Sequence, residues 1–403
     1  MSANAMNIED VYQVLNTLHK DVTGQNANAT AFDPTSFVSV ANTLFQNGPD
    51  IVYNSLMNTI GRTIFSARPY SRQFKGLIVD NVKWGAIVRK IQFGDTDAVP
   101  DSAFSGLPAD GSSVDHYVIN RGDVVETRYY GSAEYQDVMT VFRDQLYTAF
   151  TGPEQLGSFI DAKTTEMNNK WTQWTEDLAR GLVINAICAK YGYYDNTYPN
   201  HLPCLHLLTM YNTDTNANPQ LTINDIIAGP GARPFWEYVR AKIKTVQRNM
   251  TNRTIMYYDN ISGHNIIRHT PYSKQKVYLL SRFMDLMETS TLSEVFNDDY
   301  LKYADYEGVS YWQNPYEPSK VQVSKYTYLN PSTGSYADTN TAFGVTPVLG
   351  LIFDEDMMSV NIKETIISNT PMNSRGLYFN SWLSANAQYC QDFTERCVLL
   401  TLD

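Results

Sequence analysis

Residues 158–191 read SFIDAKTTEMNNKWTQWTEDLARGLVINAICAKY, and no proline interrupts them. Met167, Trp171, Trp174, Leu178 and Leu182 follow one another at steps of four, three, four and four. That spacing places them on one face of an α-helix. Gly192 stands where a C-terminal cap belongs. At about 1.5 Å per residue, a helix over 158–191 is roughly 50 Å long. Ordinary globular helices are far shorter, so this one reads as a spine, with Met167, Trp171, Trp174 and Leu178 as its packing core.

On the N-terminal side, Val138, Val141, Phe142 and Leu146 fit a preceding helix that ends at Thr151-Gly152-Pro153. Upstream, 86–93 and 123–130 read as strands. Between them, 94–122 is turn-rich and carries Asp95, Asp97, Asp101, Asp110 and Asp115. The two strands predict an extended hairpin. Its long loop has too few apolar residues for a core, so it is expected to reach a neighbouring molecule. Arg62, Arg68, Arg72 and Lys75 form a basic cluster that suits such an acidic tip. Residues 1–60 are rich in Asn, Ala, Thr and Ser. They predict an extended arm with one short helix over 11–19.

On the C-terminal side, 192–230 reads as a polar connection. Gly229-Pro230-Gly231 then leads into a helix with Pro234 in its first turn and Phe235, Val239, Ile243 and Val246 on its apolar face. Strands are expected over 254–258, 276–280, 345–353, 359–366, 376–390 and 396–402. One or two short helices are expected over 283–296. The Tyr-rich 300–343 reads as irregular.

Composition narrows the function. Of 403 residues, 31 are Lys or Arg and 42 are Asp or Glu, for a net charge of −11. A dedicated DNA clamp shows a basic excess instead. Charged residues are only 18%, while there are 28 Tyr and 6 Trp; these large amphipathic rings suit contact surfaces. Four scattered cysteines do not make a disulfide framework. The N-terminus has no secretory pattern and no apolar run approaches the ~20 residues of a membrane helix.

No catalytic signature stands out. His201, Cys204 and His206 are the most metal-like group, but a fourth ligand is not evident. His264 and His269 have no nucleophile beside them. Cys390 and Cys397 read as core thiols. Asp354-Glu355-Asp356 lacks calcium-loop spacing and reads as a surface turn. Gly229–Pro234 lacks the Gly-Lys-Ser/Thr of a phosphate loop. The reading is a non-enzyme with no cofactor and no metal.

Three short motifs carry a resemblance: Gly85-Ala-Ile-Val88-Arg-Lys-Ile91; Leu146-Tyr-Thr-Ala-Phe150 with Leu156-Gly-Ser-Phe159; and Arg375-Gly376-Leu377-Tyr378-Phe379-Asn380. With the order of elements, they resemble the major capsid protein of tailed bacteriophages, whose fold is shared with encapsulins and the herpesvirus capsid floor. The local match resembles most the small short-tailed phages of the Picovirinae type. The resemblance runs from about residue 60 to the end. It implies an α+β tailed-phage capsid fold with these parts: an N-terminal arm (1–60), the start of a peripheral domain (61–84), an extended two-stranded loop, or E-loop (85–131), a peripheral domain with the spine helix (132–195), an axial α/β domain (196–355) and C-terminal strands returning to the peripheral domain (356–403). Two departures are expected: a longer N-terminal arm, and no immunoglobulin-like domain after the last strand.

The same resemblance implies a structural subunit of the virion. It would self-assemble through hexamers and pentamers into an icosahedral head around double-stranded DNA, in the host bacterial cytoplasm. Its partners would be other copies of itself, a scaffolding protein and a portal. DNA would be a non-specific neighbour and no membrane would be involved. Arg62, Arg68, Arg72, Lys75, Asp95, Asp97, Asp101 and Asp110 are the expected inter-subunit contacts. An encapsulin-like shell around cargo is the alternative within this fold. A metal-dependent hydrolase, or a glycan-binding module using 300–343, is the alternative from another class.

Overall fold

The structure is a computed structural model that describes residues 8–23, 31–46, 52, 55–56, 73–79, 88–93, 117, 124–129, 132–197, 203–229, 231–253, 258–261, 264–291 and 305–403. The helices are α1 (Ile8–Thr23), α2 (Pro34–Gln46), α3 (Arg143–Ala149), α4 (Pro153–Ala189), α5 (Leu207–Asp214), α6 (Ile223–Ala228), α7 (Ala232–Thr251) and α8 (Ser281–Thr291). The strands begin with β1 (Ile78–Val79), β2 (Val88–Phe93), β3 (Val124–Tyr129), β4 (Ser132–Phe142), β5 (Cys204–His206), β6 (Tyr258–Ile261), β7 (His264–Ile267), β8 (Gln275–Leu280) and β9 (Asp305–Val309). They continue with β10 (Val321–Val323), β11 (Thr327–Asn330), β12 (Ser335–Asp338), β13 (Phe343–Val345), β14 (Val348–Asp354), β15 (Met358–Asn369), β16 (Tyr378–Gln391) and β17 (Cys397–Thr401). The chain divides into two compact units. The first holds 1–84, 131–179 and 360–389; the second holds 85–130, 180–359 and 390–403.

In the first unit the N-terminal segment is not the extended arm expected. In α1, Val11, Leu15 and Leu18 are buried along one face. Asp33 and Ser36 cap α2 reciprocally: the Ser36 amide donates to Asp33 Oδ1 at 2.6 Å and the Asp33 amide to Ser36 Oγ at 3.0 Å. Pro34 then fits the first helical position. Phe37, Val40, Ala41 and Leu44 of α2 join the α1 residues in one core with Leu146, Phe150, Leu156, Ile160, Met167, Phe379 and Leu383. Asn16 fixes the connection, donating to the Ala31 carbonyl at 3.1 Å and accepting from its amide at 2.8 Å. The polar composition of 1–60 conceals two short amphipathic stretches whose stability comes from packing.

The sheet of this unit has the order β1-β15-β16-β4. β16 and β4 pair antiparallel from Tyr378↔Phe142 to Gln388↔Ser132. Residues 135–142, expected as helix, are therefore strand. Their exposure alternates through β4, with Met139 and Val141 inward and Val138, Thr140 and Phe142 outward. The apolar residues 138, 141 and 142 fit a helical face by coincidence, and the β-branched content was the better guide. The Arg375–Asn380 motif makes the turn into β16. Asn373 Oδ1 accepts from the amides of Arg375 and Gly376, both at 3.0 Å. Leu377 takes a positive φ of 50°, and its carbonyl accepts from the Arg143 amide at the start of α3 at 2.9 Å.

One helix, α4, covers 153–189, where 158–191 was expected. Met167 is buried, whereas Trp171, Trp174 and Leu178 are half-buried. Trp174 stacks on Tyr135 of β4 at 4.9 Å and lies 5.2 Å from Trp171. Trp174→Ala is accordingly expected to cost about 1–3 kcal/mol in denaturant unfolding, below the ~3–5 kcal/mol of a fully buried ring.

In the second unit, Gly192 is not a helix cap. The chain continues through a π-turn, Lys190–Tyr194, into the single turn Asp195–Thr197. A Cβ at Gly192 would stand 2.5 Å from the Tyr326 hydroxyl, so close approach explains this glycine. The main sheet here has the order β5-β17-β14-β8-β9. All seven residues of β14 are buried, between antiparallel neighbours β17 and β8. That central position accounts for its unbroken apolar run. In α7, Phe235, Trp236, Val239 and Ile243 are buried, Val246 is half-buried, and Trp236 Nε1 donates to the Ile226 carbonyl at 2.9 Å.

Two stretches expected to lack structure contain it. Residues 192–230 hold β5, α5 and α6, and 300–343 holds β9 to β13. These pieces are short and Tyr/Asn/Thr-rich, and side chains support them. Asn185 accepts from the Thr327 amide at 2.8 Å and donates to its carbonyl at 3.0 Å. Asp354 caps the 3₁₀ turn Glu355–Met357, where a surface turn was expected.

Candidate functional site: a hairpin on a buried charge cluster

The second unit includes β2 and β3, which pair antiparallel from Val88↔Tyr129 to Phe93↔Val124. Directly opposed residues share a face, and faces alternate along each strand. One face carries Arg89 with Arg128, Ile91 with Glu126, and Phe93 with Val124. This face is open: Ile91 is 56%, Phe93 72% and Val124 58% exposed. Glu126 pairs with Arg128 at 2.9 Å and Arg89 at 3.7 Å. The face is thus charged near one end and apolar toward the loop.

The opposite face is anchored. Lys90 Nζ lies 2.6 Å from Asp392 Oδ2 and also pairs with Glu395. Arg268 reaches Glu395 at 3.3 Å and donates to the Thr394 hydroxyl at 3.1 Å. The Thr394 amide donates to Asp392 Oδ1 at 2.9 Å. Asp392 and Glu395 are buried, in the turn between β16 and β17. Tyr129, also buried, meets the Tyr336 ring edge-on at 6.5 Å, and Tyr336 donates to the Gln391 carbonyl at 2.7 Å.

Burial would raise the Asp392 carboxyl, but Lys90 and the Thr394 hydrogen bonds hold it below the usual carboxylate range. Burial raises Glu395 despite Arg268 and Lys90. Burial would lower Lys90, and its two carboxylates keep it above the ordinary lysine value. Two cations and two carboxylates thus close a network at the foot of the hairpin. The sequence shows Lys90 only as an interruption of an apolar strand. Its partners lie some 300 positions away (|i−j| of 302 and 305). A lysine in the inward phase of an alternating strand was the available signal.

Of the residues expected at subunit contacts, Lys75 is exposed in the turn before β1. Arg62, Arg68, Arg72, Asp95, Asp97, Asp101 and Asp110 lie outside the described residues, as does all of 94–122 except the exposed Tyr117. His201 lies outside them too, while Cys204 and His206 come together with Asp195. Among the described residues, no helix is long and apolar enough to cross a membrane.

The family description "Phi29-like phage major capsid protein" matches residues 15–401. The chain belongs to this family. Its fold is that of phage capsid chains. A chain of the capsid of Staphylococcus phage Andhra aligns with TM-score 0.50 at 10% identity, covering 83% of this chain and 84% of that one. A chain from the bacteriophage P68 structure that describes its head fiber and inner core protein gp22 aligns with TM-score 0.51 at 8% identity, covering 83% and 85%. No curated protein sequence matches the chain. This phage major capsid protein is a structural component of the virion. The α7 start at Gly231 and the Asp354 turn serve this capsid subunit as structure: a helix entry and a 3₁₀ cap.

Proposed function

We propose that this capsid protein assembles through hexamers and pentamers into an icosahedral head around double-stranded DNA, with 85–131 acting as the extended loop that lies across a neighbouring copy. The observation that carries this is the hairpin itself. One face is held by buried charges of its own unit, while the other presents Ile91, Phe93 and Val124 to solvent. Exposed apolar strips rimmed by charge mark protein contacts. The acidic loop 94–122 would meet the basic 62–75 cluster of the neighbour. Each such exposed pair contributes ~0–1 kcal/mol, but repetition around a closed shell fixes register between copies. Long α4 would serve as the peripheral-domain spine, and the β5-β17-β14-β8-β9 unit as the axial domain.

A scaffolding protein and a portal would take part in assembly within the host cytoplasm. With a net charge of −11, the shell would lie near packaged DNA without gripping it. The likeness to short-tailed phages of the Picovirinae type belongs to this same reading. Size-exclusion chromatography and negative-stain microscopy of the expressed chain, with and without scaffolding protein, test it. Closed particles or ring-shaped capsomers are expected. A stable monomer under every condition would refute it.

A further inference from the structure

We propose that Asp195, Cys204 and His206 form a binding site for a divalent transition-metal cation of the zinc class. All three lie in the second unit. β5 pairs in parallel with β17, with Leu399↔Cys204 and Thr401↔His206 in register. Alternate residues of a strand share a face, so Cys204 and His206 are presented together. Asp195 joins them from the turn that follows the π-turn. One donor atom from each of the three residues lies within 4.8 Å of the others.

The hydrogen bonds around His206 divide the roles. Asp403 Oδ1 lies 2.9 Å from Nδ1 and also accepts from the Thr401 hydroxyl. Asp403 Oδ2 accepts from the Tyr191 hydroxyl at 2.6 Å. Both oxygens of Asp403 are therefore committed, and it holds the Nδ1 edge of the imidazole in place. This is the carboxylate–histidine arrangement that stands behind metal-bound histidines. Nε2 lies 3.0 Å from Asp195 Oδ2, a contact that a proton or a metal ion can bridge. The buried Cys204 thiol, whose partner is Thr401 at 3.7 Å, is a third donor that a proton does not use and a metal does.

Charge and chemistry agree. A carboxylate and a thiolate neutralise a divalent ion, with the imidazole neutral. A sulfur, nitrogen and oxygen set favours zinc or cobalt over magnesium or calcium. Donor atoms bound to zinc lie ~2.0–2.3 Å from the metal, so the three donors, within 4.8 Å of one another, would draw closer on binding. Solvent would take the fourth position, as in three-ligand zinc sites. Binding would tie the segment after α4, β5 and the residues after β17 to one ion.

Cobalt titration of the chelator-stripped full chain tests this directly. One equivalent of Co²⁺ per chain should produce a thiolate-to-cobalt charge-transfer band, and Zn²⁺ should displace it. Cys204→Ser should abolish the band. Asp403→Asn should keep the band and weaken binding about 10–100-fold, as expected for an orienting partner. The wild-type spectrum is decisive even if a variant fails to fold. Absence of the band at stoichiometric cobalt overturns the proposal, and so does a band that survives Cys204→Ser. A His206 ring protonated on both nitrogens at saturating Zn²⁺, read by nitrogen NMR shifts, overturns it as well and leaves only an imidazolium bridge.

Discussion

Lys90→Met is expected to destabilise the second unit by about 3–5 kcal/mol in denaturant unfolding, the range for removing one partner of a buried ion pair. Asp392 is 2% and Glu395 8% exposed at the side chain, and Lys90 contacts both. Without the ammonium, two buried carboxylates repel one another; Arg268 compensates on the Glu395 side, and the Thr394 hydrogen bonds alone do not replace the lost cation beside Asp392. The cost comes from the stranded charge, so removing that charge should restore stability. The double variant Lys90→Met, Asp392→Asn, which leaves Glu395 paired with Arg268, is expected to recover most of the loss. If the single variant unfolds within about 1 kcal/mol of the parent, the network is not what holds the hairpin. Lys90 pairs the hairpin with the turn of its own unit, so the variant should also misdirect the hairpin and yield irregular particles where folding survives.

Replacing residues 96–120 with a short Gly-Ser turn is expected to leave a folded subunit that stops at monomers or loose capsomers. The basis is compositional. The stretch from 94 to 122 carries five aspartates and few apolar residues, so it cannot build a core of its own. On the proposed reading, the basic 62–75 segment of a neighbouring copy is the partner that orders it. The pairs are individually weak and screened by salt. Assembly of the parent should therefore weaken between low and high ionic strength, while the variant shows no such dependence. Closed shells from the variant, as resistant to heat and salt as the parent, would show that the loop folds back on its own unit.

The parts of the fold legible in the sequence are those where one period dominates. The face through Met167, Trp171, Trp174, Leu178 and Leu182 marks α4 because core contacts repeat there at helical spacing. The run through Val348–Phe353 marks β14 because both of its faces are covered. Residues 135–142 misled because Val138, Val141 and Phe142 fit a helical face; the β-branched Val138, Thr140 and Val141 point the other way, and pairing with β16 makes the stretch a strand. The α1–α2 pair was hidden by polar residues whose exposed faces dilute its apolar one. Strands β9 to β13 average four residues or so and rest on distant side chains such as Asn185, which no local window contains. The same distance hid the charge cluster: Lys90, Arg268, Asp392 and Glu395 belong to three separate stretches of chain. The hairpin, by contrast, was partly visible. Alternation in 86–93 and 123–130 gave the hairpin, but not which side it turns to solvent.

The exposed face of the hairpin is where the account is most directly tested. A photo-reactive benzoyl analogue of phenylalanine placed at position 93, which is 72% exposed, would be activated in assembled particles made from a mixture of isotopically light and heavy chains. The expected result is light–heavy cross-linked pairs, mapped by mass spectrometry to one region of a neighbouring copy and lost when the particles are dissociated before illumination. Cross-links confined to single chains in intact particles would contradict the assignment of this face to subunit contact.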